Sequence, residues 1–179
     1  MIHTSHVIKT VPDQYRSALH QRIYETLNEL DIPFERVDTD EAITMEDCIA
    51  INERLDVKTV KTLFLCNRQK TSFYLFVTAG DKPFVTKDFS RTLGISRVSF
   101  APPQLLLEIL QTKVGATTVL STVVDSDNRV QVVIDREVLG DEYYGCTDGT
   151  TTGYMKIKTD DVLNKYLPFT HHQPIIIEL

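Results

Sequence analysis

The sequence lacks the features that would assign the protein to a membrane or to a secreted class. No apolar run approaches the roughly 18 residues that span a bilayer, and the opening segment MIHTSHVIKT has no apolar core of a signal peptide. Cysteine is sparse, because Cys48, Cys66 and Cys146 are widely spaced and form no C-x-x-C pair. An odd, scattered set of this kind is typical of reduced thiols. We therefore expect a cytoplasmic protein with no membrane partner.

Common catalytic motifs are also missing. The sequence contains no G-x-x-x-x-G-K-[ST], no G-x-G-x-x-G, no H-E-x-x-H and no G-x-S-x-G. The neighbours His171 and His172 have no cluster of cysteine or histidine near them, so they give little support to a metal site. The DSDN segment lacks the rest of a calcium-binding loop and indicates a turn. We therefore expect neither a metal nor another cofactor.

Length and composition favour one globular domain over residues 1–179. A chain of 179 residues with 42% hydrophobic and 25% charged residues can bury a sizeable core. The net charge is −6, but residues 54–97 hold nine Lys/Arg against three Asp/Glu. This basic segment indicates either one phosphate-facing surface or a set of ordinary solvated strand ends and helix faces, and both interpretations remain open.

The hydrophobic pattern predicts a mixed order of helices and strands. Helices are predicted at residues 13–30, 44–55, 86–94, 102–112 and 159–167. Strands are predicted at residues 33–40, 60–66, 73–79, 97–101, 122–125, 130–135, 152–158 and 174–179. Residues 60–79 and residues 122–135 should each form a hairpin. Because regular βαβ alternation is absent, we expect an α/β domain with a central mixed, mostly antiparallel sheet and surrounding helices.

Lys61 is an unusual residue for its place in a strand. Side chains alternate with period two along residues 60–66, which puts Lys61 in one row with Leu63 and Leu65. An ammonium group in that row either reaches solvent at the end of the strand or projects into a cleft. Both interpretations remain open from the strand alone.

Two loops rich in small residues can complete such a cleft. Gly115 in KVGATTVL permits close approach of a backbone, and YYGCTDGTTTGYM contains three glycines and four threonines. Loops of this composition can offer backbone N–H and hydroxyl groups to an anion or to a polar ester. Together with Lys61 they predict a substrate cleft, whereas the alternative is that both are simple turns.

Several segments together resemble the YbaK/prolyl-tRNA-synthetase-associated domain family, and within it the free-standing prolyl-tRNA editing proteins. They are VKTLFLCN, FYLFVTAGDKPFVTKDFSRTLGISRVSFAPPQLLLEIL, VGATTVL, VVIDREVL and HHQPIIIEL. The resemblance runs from about Tyr15 to Leu179 in consistent order. It implies an α/β fold with a mixed, partly barrel-like sheet, and a metal-independent hydrolase that removes alanine from mischarged tRNA(Pro). It also implies tRNA as a partner, with prolyl-tRNA synthetase as a further one.

The resemblance assigns catalytic roles to Lys61 and Gly115. The other positions that it implicates would bind substrate, namely Thr62, Ala116, Thr117, Thr118, Val119, Tyr144, Asp148, Thr151 and Thr152. Three of these depart from the family pattern. Thr62 stands where the family often has asparagine, Val119 replaces the proline of a G-x-x-x-P loop, and the histidine of a His-Pro pair is replaced near Tyr144.

The expected mechanism uses charge and backbone donors rather than a strong nucleophile. Backbone N–H groups around Gly115 would stabilise the oxyanion, and Lys61 would anchor the phosphate or ester end of the substrate as a cation. Val119 and Tyr144 would help to set the size of the pocket. The departures from the family pattern leave three alternatives open: a non-catalytic tRNA-binding or regulatory relative, a deacylase for serine, threonine or cysteine, and a structural protein without tRNA contact.

Overall fold

The computed structural model describes residues 2–42 and 44–179, which form two β-sheets with helices packed around them. The strands are β1 (Glu35–Asp38), β2 (Val60–Asn67), β3 (Phe73–Ala79), β4 (Val98–Phe100), β5 (Val130–Asp135), β6 (Tyr143–Thr147), β7 (Gly153–Lys158) and β8 (Ile175–Ile177). The α-helices are α1 (Ala18–Glu29), α2 (Cys48–Leu55), α3 (Thr86–Leu93), α4 (Pro103–Leu110), α5 (Thr159–Asp161) and α6 (Leu167–Phe169). No helix in the described ranges has the length and apolar character needed to cross a bilayer.

The larger sheet is mixed, with strand order β4-β2-β3-β5-β8. In it β2 pairs antiparallel with β3 and with β4, whereas β3–β5 and β5–β8 are parallel. The smaller sheet, β1-β7-β6, is antiparallel, and a single parallel bridge between Thr59 and Gly145 links it to the start of β2. The predicted α/β architecture, with a mixed sheet and surrounding helices, is therefore confirmed.

Both faces of β2 pack against apolar side chains, as its sequence predicts. Phe64 and Cys66 belong to the main core, to which α1 and β5 also contribute buried side chains. Leu63 and Leu65 face a second core under α3, where Phe89 is buried. Burial on both faces fixes the register of β2, because a slip of one residue would exchange the two rows of side chains. This fixed register determines where Lys61 lies.

One predicted hairpin is wrong. Residues 122–124 belong to a 3-10 helix, Val119–Val124, and Asp125 is its C-cap. The Thr118 hydroxyl caps the first turn by accepting from the Leu120 N–H at 3.2 Å. The next turn is held by the Asp125 carboxylate, which accepts the N–H of Arg129 at 3.0 Å. A run of four residues is too short for its pattern to distinguish a strand from a helical turn. As a result β5 has no antiparallel hairpin partner and pairs with β3 and β8 in parallel.

Helix boundaries differ from the prediction mainly at the amino ends. The helix predicted from Asp13 begins at Ala18, because the Ser17 hydroxyl accepts the His20 N–H at 3.0 Å and caps it there. The helix predicted from residue 44 begins at Cys48, after a turn that holds Thr44 and Asp47 together. The predicted stop of α3 is confirmed, since Gly94 caps it with a left-handed φ of 66°.

Candidate functional site

The free edge of β2 forms the wall of a cavity of about 510 Å³. The strand β4 pairs only with Leu65–Asn67, and the Ala101 N–H extends this pairing to the Phe64 carbonyl at 3.0 Å. Between the Thr59–Gly145 bridge and Phe64, the described residues offer β2 no strand partner other than β3. The cavity lies in this gap, and its lining includes Lys61, Thr62, Leu63, Phe64, Phe100, Ala101, Leu106, Val114, Gly115, Thr117, Thr147 and Tyr154.

Lys61 borders the cavity, and its amine is held against the protein rather than extended into bulk solvent. Its side chain is half-buried, and its Nζ donates a hydrogen bond to the backbone carbonyl of Lys82. Burial lowers the pKa of the Lys61 amine, because it disfavours the charged form, and the nearby Asp81 carboxylate opposes this shift. Of the two positions that the sequence left open for this amine, the structure therefore shows the cleft.

The loop around Gly115 also lines the cavity. Gly115 has a φ of 89°, in the left-handed region that favours glycine. The Thr147 hydroxyl holds the loop by donating to the Ala116 carbonyl at 2.9 Å. Neither the Gly115 N–H nor the Thr117 N–H has an acceptor among the described residues. Two backbone donors at the cavity are therefore free to bind an oxygen atom.

Three further residues that the G-x-x-x-P resemblance predicts lie in this loop but are buried in the protein rather than exposed to the cavity. Ala116, Thr118 and Val119 are fully buried and do not line the cavity. Tyr144 is also buried, behind Thr62, with its hydroxyl in no hydrogen bond of ordinary geometry among the described residues. Burial raises the pKa of Tyr144, and the nearby Thr62 hydroxyl opposes the shift. Val119 and Tyr144 thus contribute to the cavity only through the packing of its walls.

Asp148, Thr151 and Thr152 lie away from Lys61. Asp148 is buried and accepts hydrogen bonds from His20 Nε2 and the Tyr24 hydroxyl, each at 2.8 Å. Because Nδ1 of His20 accepts the Arg16 N–H, its Nε2 is the protonated nitrogen. Asp148 and Thr152 border a separate polar cleft, which Arg36 also lines, and the Thr151 hydroxyl donates to Glu41 at 3.3 Å.

The structure therefore brings together four of the predicted site residues, which are Lys61, Thr62, Gly115 and Thr117. The sequence did not single out Thr147, although it lies in the glycine- and threonine-rich stretch that was recognised as a candidate loop. Phe100 also lines the cavity, and it is 58% exposed at the surface. In the sequence, Phe100 is marked only by its place in the SFAPP part of a segment that resembles the family, and that resemblance assigns it no role.

The lining suits a polar group with a small apolar attachment. One ammonium, two free N–H groups and the hydroxyls of Thr62 and Thr117 can bind a phosphate or an ester oxygen. Leu63, Phe64 and Leu106 provide an apolar wall. In the ranges 2–42 and 44–179, no group of three or more His, Cys, Asp or Glu side chains is arranged to hold a metal ion.

Known proteins support a common origin for this arrangement. The family model of the aminoacyl-tRNA editing domain matches residues 39–165, a range that contains all the residues lining the cavity. The chain is 30% identical over 161 residues to prolyl-tRNA synthetase associated domain-containing protein 1 of Danio rerio, covering 89% of this chain and 86% of that one. It is 27% identical to the prolyl-tRNA editing protein ProX of Acetoanaerobium sticklandii, over 67% of this chain and 73% of that one.

Solved structures show the same fold at low sequence identity. A candidate trans-editing enzyme for prolyl tRNA synthetase superposes with a TM-score of 0.67 at 16% identity, covering 91% of this chain and 98% of that one. The hypothetical protein APE2540 gives a TM-score of 0.66 at 16% identity, covering 87% and 97%. With a family model that spans most of the sequence and a fold shared over nearly all of it, the chain belongs to the aminoacyl-tRNA editing domain family.

Proposed function

We propose that this protein is a trans-editing deacylase that hydrolyses the ester of mischarged tRNA(Pro), with alanyl-tRNA(Pro) as its main substrate. The observation that carries this proposal is that Lys61 and Gly115 both line one cavity. The names of two relatives, which refer to prolyl-tRNA synthetase and to prolyl-tRNA editing, support the choice of tRNA. We further propose prolyl-tRNA synthetase as a partner and the cytoplasm as the compartment.

The chemical step needs no strong nucleophile, because an aminoacyl ester is already activated. Water attacks the carbonyl carbon, and the negative charge that develops on the carbonyl oxygen is stabilised by the free N–H groups of Gly115 and Thr117. The bond to the ribose oxygen then breaks, and that oxygen leaves as a hydroxyl after taking the proton that the attacking water loses. The Lys61 ammonium holds the phosphate or ester end of the substrate by charge. On this account neither a metal nor a cofactor is required.

Selection of the amino acid is steric in this proposal. A synthetase gains only about 1–3 kcal/mol from one extra methylene, so a smaller amino acid needs a second, smaller pocket for its removal. Leu63, Phe64 and Leu106 form the apolar surface against which a methyl side chain can pack. Val119 and Tyr144, which lie behind the lining, fix its shape indirectly.

A deacylation panel tests the proposal directly. The purified protein is incubated with alanyl-tRNA(Pro), with prolyl-tRNA(Pro), and with tRNAs charged with serine, threonine or cysteine. We expect hydrolysis of alanyl-tRNA(Pro) to be the fastest and prolyl-tRNA(Pro) to remain intact. Faster release of serine, threonine or cysteine would contradict alanine as the main substrate. No hydrolysis with salt-dependent tRNA binding would identify a non-catalytic relative, and absence of binding would identify a structural protein.

Substitution of Gly115 by alanine should lower the rate of hydrolysis. Alanine is strained at a φ of 89°, so the loop must shift and carry its N–H groups with it. Loss of one oxyanion donor costs on the order of 10²–10³ in kcat, and we expect Gly115→Ala to approach this loss with little change in KM.

Gly94→Ala is the matched control for this strain. Gly94 also has a left-handed φ, and a Cβ there would meet no atom within 4 Å. We expect the Gly94 variant to lose some thermal stability while keeping its kcat. Equal rates for the two variants, measured by single-turnover deacylation, would show that the Gly115 loop does not act on the reaction.

A further inference from the structure

The Lys61 amine is held by a carbonyl group rather than by a carboxylate. Lysine has a long, flexible side chain, and its ammonium has three donors. One of these donors binds the carbonyl of Lys82, in the segment of residues 80–85 that connects β3 to α3. The other two remain for a ligand in the cavity, so the place of the Lys82 carbonyl determines where Lys61 presents its charge.

Lys82 is itself fixed by its own side chain. Its Nζ lies 2.8 Å from Asp135 Oδ2 and 3.3 Å from Glu137 Oε2. The Asp135 side chain is only 2% exposed, whereas that of Glu137 is 59% exposed. Because exposed pairs contribute little and buried ones are weakly screened, Asp135 is the principal anchor of the loop. The hydrogen bond from Lys82 to Asp135 raises the pKa of Lys82, which keeps it a cation.

The Asp135 side chain is fixed by hydrogen bonds from β3 and from the turn that follows β5. The Thr78 hydroxyl donates to its Oδ2 at 2.8 Å, and the Glu137 N–H donates to its Oδ1 at 3.2 Å. Thr78 is also the residue opposite Lys61 in the antiparallel pairing of β2 with β3. Burial raises the pKa of Asp135, but the hydrogen bonds from Lys82 and Thr78 outweigh this effect and hold it below its ordinary value. The anchor is therefore an ionised carboxylate at a fixed place in the sheet.

The order of charges suits an anionic ligand. Lys82 pairs with Asp135 and neutralises that carboxylate, so the hydrogen-bond partner of the Lys61 amine among the described residues is a carbonyl, and the Asp81 carboxylate acts on the amine only from beyond ion-pair distance. A carboxylate at that point would bind the ammonium as an ion pair and would repel a phosphate group. With a carbonyl in its place, Lys61 is oriented by one hydrogen bond and keeps its charge for the substrate.

We propose that Lys82 and Asp135 are positioning residues that direct the Lys61 amine toward the substrate through the Lys82 carbonyl. Their effect on rate rests on the proposed function, whereas their effect on the placement of the amine does not. The two effects are therefore measured separately.

The first measurement is kinetic. For Lys82→Met and Asp135→Asn we expect kcat to fall by about tenfold to a hundredfold, the loss that a misplacement of about 1 Å can produce, with KM nearly unchanged. Lys82→Arg should keep most of the rate, because it can still pair with Asp135.

Arg136→Met is the matched control, since it also removes a cation that pairs with a carboxylate. Arg136 binds Glu178 at 3.3 Å on the surface, and both side chains are mostly exposed. We expect this variant to keep the wild-type kcat. Thermal unfolding shows whether each variant is folded at the assay temperature. If Asp135→Asn is unfolded there, Lys82→Met alone tests the positioning role.

The second measurement needs no substrate. Competitive labelling of the folded protein with acetic anhydride, followed by mass spectrometry of its peptides, reports how accessible each amine is. We expect Lys61 to be labelled severalfold faster in Lys82→Met and Asp135→Asn than in the wild type, with the exposed Lys87 as internal reference. Unchanged labelling of Lys61 would overturn the positioning role. Faster labelling of Lys61, in a protein that hydrolyses no member of the panel, would retain that role and reject the deacylase function.

Discussion

Lys61→Ala is expected to abolish deacylation of alanyl-tRNA(Pro) while leaving the protein folded. Lys61 lines the same cavity as Gly115, where it is the cation available to hold an anionic end of the substrate. Loss of an interaction of this kind costs on the order of 10²–10³ in rate. Its half-buried charge is not part of an ion pair among the described residues, so removing it should not lower the temperature of unfolding. Single-turnover deacylation and thermal unfolding, measured on the same sample, check both statements.

Two further variants separate charge from packing. Lys61→Met keeps the length of the side chain without its charge, and it should be as inactive as Lys61→Ala. Lys87→Ala removes an exposed lysine from the same basic segment, and it should retain activity within about twofold, because an isolated surface charge contributes little. Turnover at the wild-type level by Lys61→Ala would refute the assignment of this residue.

Asp148→Ala is expected to cause the largest loss of stability. The carboxylate is 2% exposed and accepts hydrogen bonds from His20, Tyr24 and the Thr150 hydroxyl. These contacts join the loop after β6 to α1, more than 120 residues away along the chain. Removing one partner of a buried polar network leaves the others unpaired and costs about 3–5 kcal/mol in the free energy of unfolding. Urea unfolding followed by circular dichroism measures this loss.

The same residue predicts sensitivity to acid. Burial raises the pKa of Asp148, but the hydrogen bonds from His20 and from the hydroxyls of Thr150 and Tyr24 outweigh it, so the pKa lies below its ordinary value. A group of this kind stabilises the folded state above its unfolded pKa of about 3.9, and that contribution is lost as the pH falls through the lower folded pKa.

Asp148→Asn should therefore show a weaker dependence of unfolding free energy on pH below about 4 than the wild type. The exposed Asp127 provides the control, since Asp127→Ala should leave the stability unchanged. Equal stability of Asp148→Ala and Asp127→Ala would show that the network around Asp148 does not hold the loop to α1.

Local pattern was sufficient to predict the strands that carry the site. The bounds of β3 agree with the prediction, and β2 extends one residue beyond it, because both strands have clear period-two patterns between polar turns. The place of the Lys61 side chain, at a cleft or in solvent, could not be predicted from that pattern alone. It depends on where β4 stops pairing with β2, which tertiary contacts decide. Likewise, the sequence placed Asp148 with Tyr144 and Thr151 in one loop, but the partners that bury it come from the distant helix α1.

The exposed edge of β2 has one more consequence, for the assembly of the protein. A strand with unpaired N–H and C=O groups is a template on which another chain can add, which leads to aggregation. Proteins commonly oppose such addition by placing lysine on the edge, and β2 carries Lys61 at this point. The gap proposed to admit a substrate is thus also a place where the sheet is open to faulty association, and Lys61 opposes it.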